Sequence, residues 1–193
     1  MKRIIILLVF CISCFSSCII TQEFTVNSDL TARQETTVDL SQLMAILGDN
    51  DTLSLQIDSI FSANKEKYSD NDSLGYKDVE FKHLENGILK LSYNIPNFEK
   101  YKDGMQVSVK DKKITIELGD IAKYFEQLKS EQYDFQSTSE LFQYYLIFNF
   151  DKKIKDVDGD NVGSFEIING GKTLKFGTTL NQFPSKAITI NFK

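Results

Sequence analysis

The sequence predicts an α+β domain, a mainly antiparallel sheet of hairpins with about three helices packed on one face. Three observations point there. Short runs of alternating apolar and polar residues recur along the chain, divided by turn residues. Separate stretches switch to helical spacing. Neighbouring strand runs are joined at hairpin distance, and no internal repeat is present.

The elements follow in order. Glu23-Phe24-Thr25-Val26 alternates, as does Gln34 to Val38, with the turn Asn27-Ser28-Asp29 between them. This is a first hairpin. Asp39 is placed to cap a helix, with Gln42 as its capping-box partner. Leu40, Leu43, Met44 and Leu47 repeat at helical spacing, and Gly48 stops the helix. Leu53, Ile57, Ile60 and Phe61 suggest a second helix, although Leu53-Leu55-Ile57 also alternates. Residues 62–76, SANKEKYSDNDSLGY, are polar and read as a flexible loop.

The next hairpin can be registered. Val79, Phe81 and His83 share one face of their strand; Leu89, Leu91 and Tyr93 share one face of the next. A two-residue loop at Asn86-Gly87 would scramble those faces. A three-residue loop, Glu85-Asn86-Gly87, pairs Phe81 with Leu91 and Val79 with Tyr93, with Gly87 at positive φ. Met105, Val107 and Val109 then face Leu118, Ile116 and Ile114 across Asp111-Lys112. Asp120 starts a third helix, with Ile121, Tyr124, Phe125 and Leu128 inward. Tyr144 to Phe150 is strongly apolar and reads as a central strand covered on both faces. A last hairpin pairs Phe165 with Phe176 and Ile167 with Leu174 over Gly170-Gly171, and Ala187 to Phe192 closes the sheet. The total is roughly nine strands and three helices.

The N-terminus says where the protein works. Met1-Lys2-Arg3 is followed by the apolar run Ile4 to Phe10, which fades by Phe15. A charged start, a short apolar stretch and small residues describe a secretory signal peptide. The run is about twelve residues, short of the roughly 18 a bilayer span needs. Ser16-Ser17-Cys18 resembles the lipobox of bacterial lipoproteins, in which the peptide is cut before the cysteine that carries the lipid. Residues 1–17 are thus the expected signal peptide, and Cys18 the expected lipidation site. Cys14, after Ile12-Ser13, competes, but cutting there would shorten the apolar core. All three cysteines, Cys11, Cys14 and Cys18, lie in this segment. The processed chain would have no thiol for catalysis, disulfides or soft metals.

Residues 18–193 are the size of one domain and can bury a core without staples. Without Lys2 and Arg3 the chain holds 20 basic and 27 acidic residues, a net charge of −7. That balance, with no basic stripe, excludes a nucleic-acid partner. Anionic membrane surfaces would repel it too, so the lipid must do the anchoring. Ile19 after Cys18 supplies no Asp retention signal, which favours the outer membrane where the host has one.

Two longer stretches carry a family resemblance. EFTVNSDLTARQETTVDLSQLMAIL resembles the hairpin-then-helix start of LppM-like bacterial lipoproteins. YYLIFNFDKKIKDVDGDNVGSFEIINGGKTLKF resembles the same family's late segment, an apolar strand, a turn and a strand around an Asn/Gly turn. The resemblance implies an envelope lipoprotein of the α+β kind, with lipid binding as one role, and carries over no catalytic residue.

Candidate chemistry is sparse. DVDGDN at 156–161 spaces Asp156, Asp158 and Asp160 as calcium loops do. A helix-flanked calcium loop needs Gly at its sixth position and Glu at its twelfth, where this chain has Asn161 and Ile167. The cluster also suits a solvated turn between strands. Gly171-Lys172-Thr173 ends like a phosphate loop but lacks the earlier Gly, its place held by Glu166. Ser62 and Lys65 match S-x-x-K without its companion motifs. His83, the one histidine, sits on an apolar strand face beside a turn, where core-edge packing is expected. Carboxylate pairs are numerous, and sequence cannot say which converge.

The expected protein is a lipid-anchored, non-catalytic envelope lipoprotein without a cofactor. Its partners are the membrane, through the N-terminal lipid, and a lipid or envelope protein. A hydrophobic cavity between sheet and helices, lidded by Leu40–Leu47 and Ile121–Leu128, would hold such a lipid, while the plainer and favoured reading of those stripes is solid core. The alternatives are an envelope hydrolase using carboxylates or His83, and a calcium-stabilised surface module.

Overall fold

The computed structural model describes residues 18–41, 75–84, 87–101, 104–118, 142–159, 165–179 and 187–193. Eleven strands run in chain order: β1 (Cys18–Val26), β2 (Ala32–Asp39), β3 (Lys77–Leu84), β4 (Ile88–Ile95), β5 (Gln106–Lys110), β6 (Lys113–Glu117), β7 (Phe142–Phe150), β8 (Ile154–Gly159), β9 (Phe165–Ile168), β10 (Thr173–Thr179) and β11 (Ile188–Phe192). They form a seven-stranded sheet, β3-β4-β2-β1-β7-β10-β9, and a four-stranded sheet, β5-β6-β11-β8.

The α+β expectation is corrected by this architecture. The described residues are mainly β, with three-residue 3-10 turns at Phe98–Lys100 and Asn169–Gly171. Most of the stretches predicted as helices, 40–47, 53–61 and 120–128, lie outside the described residues. At the end of β2 the Asp39 Oδ1 accepts the Ser41 N–H at 2.8 Å; Gln42 and most of the helix Asp39 was expected to cap lie outside the described residues. The strand that sequence missed is β8. Its turn-like composition is overridden because Ile154 is buried and the backbone pairs with β11 from Ile188↔Gly159 to Phe192↔Ile154.

Hairpin registers follow the local pattern. Phe81 pairs with Leu91 and Leu84 with Ile88, leaving three residues in the loop, with Gly87 at φ 73°. The expected Val79–Tyr93 pair does not form. A register shift falls between Lys77 and Glu80, where Asp78 adopts φ 53°. Val107 faces Ile116 and Val109 faces Ile114. Phe165 faces Phe176 and Ile167 faces Leu174.

The main sheet's inner face carries the core. Phe24, Leu146, Phe148, Leu174 and Phe176 are fully buried, and so are Ile116, Ile188 and Ile190 of the smaller sheet. Phe24 stacks on Phe148 at 5.3 Å and meets Tyr101 edge-on at 5.4 Å. Phe150 meets Phe192 of β11 at 4.9 Å, joining the two sheets.

Strand β7 pairs parallel with β1, Cys18↔Phe142 through Val26↔Phe150, and antiparallel with β10. It lies inside the sheet, as expected. Tyr145, Ile147 and Asn149 on its outer side are half-buried. Lys175 Nζ lies 5.0 Å from the Tyr145 ring centroid, and Asn149 donates to Glu23 at 2.6 Å. An amphipathic sheet of this kind needs only one dry face. Tyr76, expected in a flexible loop, is half-buried and stacks on Tyr93 at 4.4 Å; residues 62–74 of that loop lie outside the described residues.

Candidate functional site

Three places merit chemistry, and the first is the start of the sheet. Cys18, the expected lipidation residue, is the first residue of β1. Its successor Ile19 pairs with Asp39, and Asp39 pairs with Ile88, which pairs with Leu84. Alternation puts Ile19, Ile88 and Leu84 on the sheet's outer face at one end. Ile19 and Ile88 are half-buried, and Leu84 is 42% exposed.

The second place is a polar island within the inner face. Gln22 and Thr36 are direct cross-strand partners. Tyr144 donates its hydroxyl to Gln22 Oε1 at 2.6 Å, and Gln34 Nε2 donates to Thr36 Oγ1. Burial pushes the Tyr144 phenol well above its ordinary range by desolvation, so it remains a proton donor. Gln34 is buried, and its Oε1 has no hydrogen-bond partner among the described residues. Next to it, Tyr93 sits opposite Gln34, with its hydroxyl 3.3 Å from that of Tyr101. These groups are all uncharged at neutral pH. They offer an acceptor that a hydroxyl, an amide or water could satisfy. Sequence reasoning missed this island because Gln34 and Thr36 look like surface positions until register places them opposite Tyr93 and Leu91. The signal was present in the alternation Ala32, Gln34, Thr36, Val38.

The third place is the acidic string. Asp156 and Asp158 lie on β8, not in a turn, and Asn191 of β11 stands between them. Its Nδ2 donates to Asp156 Oδ1 and, at 2.9 Å, to Asp158 Oδ2. The two carboxylates therefore converge on an amide donor. Gly159 adopts φ +142°, and a Cβ there would lie 2.6 Å from the Ala187 carbonyl oxygen. Close strand approach thus accounts for the glycine without a cation. Asp160 lies outside the described residues. Among those residues no three His, Cys, Asp or Glu side chains cluster as metal ligands would.

His83 pairs with Leu89 on β3 but is exposed, which corrects the expected core-edge packing. The edge position of β3 explains it, since no described strand lies beyond. Lys172 occupies a hairpin turn, and Ser62 and Lys65 lie outside the described residues. No described helix is long and apolar enough to cross a membrane.

The described residues define a mainly β fold of two sheets, with Cys18 in strand β1 of the larger one. No protein-family model matches the chain, and no curated protein matches it significantly. Among solved structures it is similar to the NMR structure of the LppM folded domain of Mycobacterium tuberculosis. That match has a TM-score of 0.47 and 10% identity, and covers 93% of each chain. The likeness is weak, and no functional residue transfers through it.

Proposed function

We propose that this protein is a non-catalytic bacterial envelope lipoprotein, held by a lipid on Cys18 and binding a lipid or an envelope protein. The carrying observation is the N-terminal segment itself: a charged start, a short apolar run and Ser16-Ser17 ahead of Cys18, which resembles a lipobox. Cys18 belongs to β1, and cleavage before it would keep every described residue of that strand. The Gln34 acceptor supports a bound amphiphile with an uncharged donor in its head, the partner that a neutral polar island would accept.

Metabolic labelling with an alkyne fatty acid tests the anchor. The full chain, expressed in a bacterial host, takes up label and pellets with membranes. Cys18→Ser abolishes both, and Cys14→Ser leaves both intact. Label that survives Cys18→Ser, or is lost only with Cys14→Ser, refutes the assignment.

A further inference from the structure

We infer that the end of β3, the start of β4 and the neighbouring end of β1 form a membrane-facing edge, which seats Leu84 and Ile88 in the headgroup boundary of a phospholipid bilayer. The inference rests on Cys18 being the acylated residue. It adds which surface of the domain meets the bilayer.

The argument starts from slack. A lipid on a long linker leaves a domain free to tumble above the membrane. Here the acylated residue is itself part of a hydrogen-bonded strand, and the next residue is already paired with Asp39. One residue spans about 3.8 Å, so this end of the sheet must stay close to the headgroups. Leu84 lies three strands from β1, about 14 Å at ordinary strand spacing, along the same cross-strand row.

The chemistry of the row fits that location. Leu84, Ile88 and Ile19 supply apolar side chains on one face. Asp39 interrupts them, but its Oδ1 is occupied by the Ser41 N–H. Two residues further from the end on the same face, Lys82 and Lys90 oppose each other across β3 and β4. Like charges facing directly are unfavourable unless anions lie near. Glu80 and Glu35 partly meet that need, at 2.9 and 2.6 Å. Both lysines also stand where lipid phosphates would lie if Leu84 entered the boundary, and their stems can snorkel. Leu84 shares its exposure with Ile167 and Ile168, the other exposed large hydrophobics among the described residues. Ile168 aligns through Thr173 and Asn149 with Thr25, about 20 Å along β1 from Ile19. Leu84 is therefore the exposed one at the anchored end.

The test uses the full chain, matured in a bacterial host, purified in detergent and reconstituted into phosphatidylcholine vesicles. Leu84→Cys and Ile168→Cys are each labelled with an environment-sensitive thiol dye; an acylated Cys18 offers no thiol. Doxyl-labelled phosphatidylcholine is the quencher. The Leu84 site should be quenched at least about twofold more than the Ile168 site, as insertion to the headgroup–acyl boundary requires. Intact mass is read on the same samples. Acylated protein with equal quenching at both sites overturns the docking surface alone. Protein that carries no acyl chain overturns the anchor and the docking surface together.

Discussion

Replacing Gln34 with methionine in delipidated protein should raise stability, although the residue replaced makes a buried hydrogen bond. Gln34 is 2% exposed, donates to Thr36 and leaves Oε1 without a described partner. Losing the donor bond costs about 1 kcal/mol, and half-buried Thr36 can recover a partner from water. Removing an unsatisfied buried acceptor returns about 1–3 kcal/mol. Methionine has nearly the same length, so it fills the site without a cavity. The balance is a gain of up to about 2 kcal/mol, or up to roughly 4–8 °C in Tm for a domain of this size. Thermal unfolding by circular dichroism, with and without extraction of bound lipid, checks it. A fall in Tm for the delipidated variant would show that Oε1 is satisfied in the free protein. The polar island would then be ordinary core and would lose its claim on a ligand.

Other consequences are equally direct. Phe24→Ala should cost about 3–5 kcal/mol by opening a cavity among Phe98, Tyr101 and Phe148, and should lower Tm by roughly 6–20 °C. Phe24→Leu should cost well under half of that, and equal losses would mean that the rings do not pack as described. Acid should loosen the tie between the β1–β2 and β7–β8 loops. The Asp151 carboxylate accepts from the Ser28 hydroxyl and, at 2.9 Å, from the Ser28 N–H, which hold its pKa below the ordinary value, the hydroxyl more strongly. A lowered folded pKa contributes stability above the unfolded value of about 3.9 and loses it as pH falls through the folded one. The difference in urea midpoint between the natural chain and Asp151→Asn should therefore be steady from pH 7 to about 5 and shrink as pH falls below the unfolded value. A difference that persists in acid would locate its cause elsewhere.

The parts of the fold legible in the sequence are those decided within one hairpin. Side-chain parity and loop length left one workable register for Phe81 against Leu91, and the left-handed turn position needed Gly87. The same reasoning placed Val107 on Ile116 and Leu174 on Ile167. It failed at Val79, where a bulge depends on the strand's edge environment, and at β8. There Lys155, Asp156, Asp158 and Gly159 carry little strand propensity, and pairing with β11 decides the conformation.

The candidate sites divide the same way. Cys18 stands out in the sequence because a lipobox is a linear signal, and the fold adds only that this residue belongs to β1. The Asp156–Asn191–Asp158 contact joins residues more than thirty positions apart, so no local pattern announces it. The polar island joins Gln22 to Tyr144 across 122 positions through the parallel β1–β7 pairing. Sequence by itself determined the hairpin registers and marked Cys18 as the expected lipidation residue, because backbone geometry, short-range alternation and a linear processing signal act over a few residues. Only the tertiary structure decided which strands lie side by side, that they divide into two sheets, and that Gln34 faces inward. Those outcomes depend on burying apolar faces contributed by distant segments, a free-energy balance that no single segment contains.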